Sequence, residues 1–292
     1  MRFVVVFGLQ KGPGTEAKVT RFLYWNTNRK PLTSTVRTLA RAHEVDVLIL
    51  SEFPSSPASM LQSLNAGARP DFQFAFGLCE RIRIFTRFSS SFLKALYEDD
   101  RVSIRHLALP AQRQILIVAV HQPSKLFWSE DSQAFECTEL SRTVIEQETK
   151  VGHRNTILVG DLNMNPFEKG LVSADGLNAV SSRRVASRGS KRVRSRQYPF
   201  FFNPMWAHFG ERTGHPAGSY YYERAELVNY YWNIFDQVLV RPDIMDRCDG
   251  DGIRILTKAG DASLLRDNGT PDSERFSDHL PLMFEIELRE ES

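Results

Sequence analysis

Apolar runs that stop at a polar residue recur along the 292-residue chain. Arg21–Thr27 (RFLYWNT) reaches Asn26, Val45–Leu50 (VDVLIL) runs into Ser51 and Glu52, and Gln114–His121 ends in His121. Ile157-Leu158-Val159 leads through Gly160 to Asp161, Leu162 and Asn163. Phe235–Val240 carries Asp236 near its start, and Ser277-Asp278-His279 stands before a last run, Leu280–Leu288. Each run is short, rich in β-branched or aromatic residues and bounded by turn residues, which is the pattern of a buried strand. Val45–Leu50 is nearly all apolar and reads as a strand covered on both faces. At a strand end, residues i and i+2 point to the same side, so Asp161 and Asn163 are expected to face one ligand together. Ligand sites in layered α/β proteins gather at such strand ends.

Between these runs the period changes. Ser34–His43 has helical spacing at Val36, Leu39 and Ala40, with Thr33 or Ser34 as its cap. Pro57–Ala66 reads as a second helix, and Ser132–Val151, with Phe135, Leu140, Val144 and Ile145, as the longest. Phe72–Phe76 pairs with Arg81–Phe85 around Gly77, and Val102–Leu109 with Gln114–His121. Asn165 with Pro166 reads as a helix start. Arg2–Leu9 reads as a further strand, in an N-terminal extension over residues 1–19. No repeat or linker divides the chain, so residues 1–292 are expected to form one domain.

Composition narrows the class. Apolar residues make up 42% and charged residues 25%, as in an ordinary soluble globular domain. A net charge of +2 makes local clusters matter more than the total. Three scattered cysteines (Cys79, Cys137 and Cys248) argue for reduced thiols and a cytoplasmic setting, and against a disulfide framework or a zinc site. No apolar run approaches a membrane span. One segment departs from the average. Arg183, Arg184, Arg188, Lys191, Arg192, Arg194 and Arg196 form a basic stretch with no acid, read either as a solvated loop or as a contact to nucleic-acid phosphates.

Acids, amides and histidines without cysteine suit a hard divalent cation with oxygen ligands. Glu52 and Asp278 are natural candidates on the metal side. His279, beside an acid, suits proton transfer. Any one of these residues alone is more often a cap or a satisfied core residue.

The ordered set changes that weighing. Trp25-Asn26, Ser51-Glu52, Val120-His121, Gly160-Asp161-Leu162-Asn163, Phe235-Asp236-Gln237 and Ser277-Asp278-His279 together resemble the endonuclease/exonuclease/phosphatase (DNase I-like) superfamily, from about Arg21 to Leu288. Each motif is weak alone, and their joint order makes the resemblance specific. It implies an α/β fold, a four-layer α/β/β/α sandwich of two packed mixed sheets, with the site at one end. It also implies Mg²⁺-dependent hydrolysis of a phosphate ester, with Mn²⁺ as a substitute. By resemblance, Glu52 is the main metal ligand, Asn26 would help hold the metal shell and the phosphate, and Asp278 would complete the metal or the His279 surroundings. Asp161 would orient or deprotonate the attacking water or assist the leaving group, Asn163 would hold a phosphate oxygen, His121 would donate to the phosphate, and His279, oriented by Asp236, would be the acid/base or transition-state donor.

Fold does not settle substrate. The abasic-site branch usually continues Gly-Asp-x-Asn differently from Met164-Asn165-Pro166, and that departure disfavours abasic-site repair. The basic stretch favours a nuclease acting on DNA or RNA. The alternatives are a phosphatase or phosphodiesterase on a small-molecule or lipid phosphate, and a non-catalytic phosphate-binding module.

Overall fold

In the computed structural model, residues 19–67, 71–126, 128–211, 214–225 and 227–289 are described. The strand expected at Arg2–Leu9 lies outside them. In chain order the elements are β1 (Thr20–Asn26), α1 (Thr33–Ala42), β2 (Val47–Ser51), α2 (Pro57–Leu64), β3 (Gln73–Phe74), β4 (Ile82–Thr86), β5 (Leu93–Glu98), β6 (Val102–Leu107) and β7 (Ile115–His121). Then come α3 (Glu130–Val151), β8 (Thr156–Asp161), α4 (Lys169–Val172), β9 (Ala179–Val180), α5 (Arg183–Ala186), β10 (Ser190–Val193), β11 (Arg196–Pro199) and β12 (Phe201–Phe202). The last part holds β13 (Tyr220–Tyr221), β14 (Trp232–Asn233), β15 (Asp236–Val240), β16 (Arg254–Ile255), β17 (Lys258–Ala259), β18 (Ala262–Ser263) and β19 (Leu282–Ile286).

Two mixed sheets carry the architecture. One runs β16-β19-β1-β2-β4-β3, the other β5-β6-β7-β8-β15-β12-β9. The parallel pairs β1–β2 and β7–β8 are joined through α1 and α3, the crossovers that parallel strands require. Alternation along β7 sorts the layers. Ile115, Ile117 and Ala119 join the core between the sheets, whereas Leu116, Val118 and Val120 pack with Cys137, Leu140 and Val144 of α3. Val36, Leu39 and Ala40 of α1 close the first sheet from its outer side. The result is the α/β/β/α sandwich.

Several local readings need correction. The helix α1 begins at Thr33, after Leu32, with no side-chain cap bond. The helix α3 starts at Glu130, capped by Ser129, and Phe135 is exposed; the buried stripe is Gln133, Cys137, Leu140 and Val144. Pro166 does not open a helix, since α4 starts at Lys169. Asn165 is instead fully buried, donating to Asn233 Oδ1 (2.8 Å) and accepting from the Ile234 N–H (2.9 Å), so it ties β8 to the strand before β15. The basic stretch is not a loop. It forms α5 and the hairpin β10–β11.

Candidate active site

Strand register assembles the site before any side-chain bond forms. His121 lies opposite Asp161 across the parallel β7–β8 pair, and Asp161 opposite Asp236 across the antiparallel β8–β15 pair. The three form a row over adjacent strands, in phase with Ala119, Val159 and Val238 on the inner face. From the facing sheet, Tyr24 of β1 receives the Asp161 N–H on its hydroxyl (2.9 Å) and contacts Ser51 Oγ at 2.6 Å. Asn26, two residues on, therefore shares that inner face. Its Nδ2 donates to Asp161 Oδ2 at 3.0 Å.

Two residues reach the site through left-handed turns rather than on an extended strand. Ser51 points inward, so an extended Glu52 would point outward. Its φ of +49° is left-handed backbone, and the turn lets Glu52 line the same cleft. Asn163, at φ +50°, caps Asp161 Oδ1 through its own N–H (2.8 Å) and donates Nδ2 to the Gln122 carbonyl (2.9 Å). Asp161 and Asn163 thus share the cleft through an Asx turn rather than through strand periodicity. Non-glycine residues in this region cost on the order of 1–3 kcal/mol each and cluster at functional sites. Gly160 is needed for close approach: a Cβ there would lie 1.9 Å from the Val120 carbonyl oxygen.

His279 arrives on the segment before β19. Its Nδ1 faces both Asp236 oxygens at 3.1 and 2.9 Å, and its Nε2 lies 3.9 Å from Asp161 Oδ2. The segment is fastened to β1. Trp25 Nε1 donates to the His279 carbonyl (2.9 Å), and Ser277 Oγ donates to the Asn26 carbonyl (2.7 Å) while receiving the His279 N–H. On the other side His121 Nε2 lies 3.2 Å from Glu52 Oε1 and 3.8 Å from Asp161 Oδ2. His121 Nδ1 is buried with no partner among the described residues. The two imidazoles therefore differ: His279 is held by a carboxylate at its rear, and His121 is not.

The charges are strongly coupled. Burial alone would push His279 down, but the charges of Asp236 and Asp161 and the hydrogen bond to Asp236 raise it to about 10. Asp161 is pushed up by burial and by Asp236, against the pull of His279 and His121. Glu52 is lowered to about 2, chiefly by the hydrogen bond from His121, with burial opposing and His121 and Arg29 charge assisting. Near neutral pH the site therefore presents an ionised Glu52 and a cationic His279 on either side of Asp161.

A cleft of about 410 Å³ is lined by Asn26, Glu52, His121, Asp161, Asn163, Asp278 and His279. Glu52, Asp278 and Asn26 offer oxygen and no sulfur, which fits a hard divalent cation. Asp161, Asp236 and His279 also bring one ligand atom each within 4.8 Å of one another. That second grouping suits a cation poorly, because both Asp236 oxygens face a histidine held in its charged form.

The cleft thus unites the eight expected residues, with Asp236 just behind His279, but not the basic stretch. None of its seven cations lines the cleft. The hairpin β10–β11 leads into β12, where Phe202 pairs with Val240, at the end of β15 away from Asp236. That separation is roughly 13 Å of strand rise. Arg183 donates to the Met245 and Cys248 carbonyls and covers the Phe202 ring at 4.7 Å. Arg184, Arg188, Lys191, Arg192, Arg194 and Arg196 are exposed. Sequence reasoning missed Tyr24, Arg29, Arg81, Arg101 and Trp128. The last four also line the cleft. Tyr24 sits inside a strand run where it reads as core, and no motif singles out the arginines.

Two packed mixed sheets with carboxylates, amides and two histidines at one end define a DNase I-like sandwich. The chain belongs to the Endonuclease/Exonuclease/phosphatase family, whose model matches residues 23–279. None of the curated proteins matches its sequence. Among solved structures, truncated Caenorhabditis elegans TDP2 superposes with TM-score 0.54 at 11% identity, covering 92% of this chain and 97% of that one. The human Nocturnin catalytic domain gives 0.54 at 14%, covering 92% and 94%. The 3′ phosphatase NExo from Neisseria gives 0.55 at 15%, covering 91% and 99%. At these identities the likeness concerns the fold. Among the described residues, no helix is long and apolar enough to cross a membrane.

Proposed function

We propose that this protein is a divalent-cation-dependent phosphodiesterase, acting as a nuclease on DNA or RNA. The observation that carries the reading is the row His121–Asp161–Asp236, closed by His279 on one side and Glu52 on the other, in one cleft. A binding-only site has no use for a buried acid set against a carboxylate-oriented imidazolium. Glu52, with Asn26 and Asp278, would hold Mg²⁺ or Mn²⁺, and the ion would supply Lewis-acid stabilisation of phosphoryl charge.

In this reading water attacks phosphorus as the bond to the leaving oxygen breaks. Asp161, raised by burial, accepts the water's proton. His279, kept cationic by Asp236, faces the developing charge, and its proton is available to the leaving oxygen. Asn163 and His121 line the phosphate side. Support for a nucleic-acid substrate comes from neighbours: NExo is bound to a product DNA hairpin, and Danio rerio TDP2 (TM-score 0.51) is complexed with a single-strand DNA product. The three cysteines are free and buried, which supports a reducing, cytoplasmic setting.

The test is a panel of single- and double-stranded DNA, RNA and phosphoinositides with Mg²⁺ or Mn²⁺, run beside Asp161→Ala and His279→Ala. Metal-dependent nucleic-acid cleavage that both changes abolish is expected. Phosphate release from phosphoinositides alone would overturn the nuclease reading, and absence of any turnover would overturn the enzyme.

A further inference from the structure

We propose that Arg81 and Arg101 form a subsite for a second phosphate of the substrate, beside the one being cut. The inference rests on reading the cleft as a phosphate-ester site. Each arginine stands one main-chain hydrogen bond from a catalytic residue. The Glu52 N–H donates to the Arg81 carbonyl (3.2 Å) and the His121 N–H to the Arg101 carbonyl (2.9 Å). They come from different sheets, Arg81 just before β4 and Arg101 just before β6. Their guanidiniums nevertheless converge: Arg81 Nε and Arg101 Nε lie 3.9 and 3.6 Å from the same oxygen, Asp100 Oδ2. Both line the cleft that holds Glu52 and His121.

The bond-making capacity of this pair is unspent. Among the described residues neither guanidinium donates a hydrogen bond, and the shared Asp100 contact is long and 71% exposed. Such a surface pair contributes little and exchanges readily for a better anion. A phosphate offers that exchange, because two forked guanidiniums match its oxygens with charge-assisted bonds. The reacting phosphate is already served by His121, His279 and the metal-side residues. The arginines lie one strand spacing further out, about 5 Å away. Two cations there answer a second phosphate, from a polynucleotide strand or from a small molecule with two linked phosphates.

Calorimetry on the metal-free protein compares inorganic pyrophosphate with inorganic phosphate. The wild type is expected to bind pyrophosphate about tenfold tighter. In Arg81→Gln/Arg101→Gln the ratio should fall to about twofold or less, and Asp100→Asn, which removes the competing carboxylate, should raise it. Arg101→Lys should keep part of the preference, because the charge stays and the fork is lost. The source is read from kcat/KM for a thymidine dinucleotide with and without a 5′ phosphate. A preference for the phosphorylated form that the double variant loses indicates a strand, and an effect on pyrophosphate alone indicates a small substrate. Equal wild-type affinities, or a ratio the double variant leaves unchanged, would overturn the subsite. If the wild type hydrolyses no phosphate ester, the proposed function fails while the binding ratio still tests the arginines.

Discussion

β15 carries a buried carboxylate at one end and a buried guanidinium just past the other. Asp236 pairs with His279, and Arg241 pairs with Glu148 of α3. At the far end nearly every bond is closed. Arg241 Nε donates to Glu148 Oε1 at 2.7 Å, Nη1 to the Phe200 carbonyl at 3.0 Å, and the Phe201 ring lies 3.8 Å from the guanidinium. Thr156 Oγ1 supplies Glu148 with a further bond at 2.7 Å. One negative and one positive charge cancel there, away from water. At the cleft end Asp236 meets only half of the problem. Asp161 and Glu52 add negative charge, His121 leaves one ring nitrogen without a partner among the described residues, and the group opens to solvent. The same strand therefore shows what satisfaction does and what its absence leaves available. A closed ion pair holds a fold, whereas an open one keeps capacity for a ligand.

The comparison can be broken first at the open end. His279→Ala should reduce phosphodiester turnover by roughly a thousandfold, about 4 kcal/mol, because a positioned proton donor is lost. The fold should persist, and kcat together with circular dichroism checks both statements. At the closed end Arg241→Met should leave turnover per folded molecule nearly unchanged. It should destabilise the protein by about 3–5 kcal/mol, because Glu148 is left buried and unpaired. Adding Glu148→Leu should restore most of that loss in urea unfolding. If the single change were harmless, the two ends would not differ as described.

A pH series sharpens the contrast by less. The folded value of His279, about 10, lies above the ordinary 6.5. The pair therefore adds stability that is complete below pH 6.5 and is lost as pH rises through 10. The stability gap between wild type and His279→Gln should narrow between about pH 6 and pH 10. Smallest of all is the expected effect of replacing Lys191, Arg192, Arg194 and Arg196 by Ser. Cleavage of a short oligonucleotide and its salt dependence should change by less than about twofold, since each released counterion would otherwise show in the salt slope.

The residues that sequence could place are those whose local pattern and tertiary fate agree. β7, β8 and β15 are unbroken apolar runs, and their terminal His121, Asp161 and Asp236 had to stand at a layer edge. β5 escaped notice because LKALYE has no regular alternation, is interrupted by an irregularity at Ala95/Tyr97 and buries only Leu93 on an edge of its sheet. The inward swing of Glu52 depends on one backbone angle that no side-chain pattern encodes. The place of the basic stretch outside the cleft was not legible, because charge reports a preference for anions and not a position. Its distance from the site is set by the pairing of Phe202 with Val240. Arg81 and Arg101 are brought together by two separate hairpins, and nothing in either segment foretells the other.

The fastening of His279 to β1 also sets an order of events during synthesis. Trp25 and His279 are 254 residues apart, and β19, just after His279, pairs with β1. At typical elongation rates roughly 10–50 s separate the two residues' emergence from a ribosome. The acids of the cleft are made in that interval, yet His279 is not. On the proposed function, the growing chain would carry an incomplete hydrolytic centre past the nucleic acid of its own translation machinery. A nascent chain stalled at Phe276 is expected to cut no phosphodiester, whereas one stalled well beyond Leu288 is.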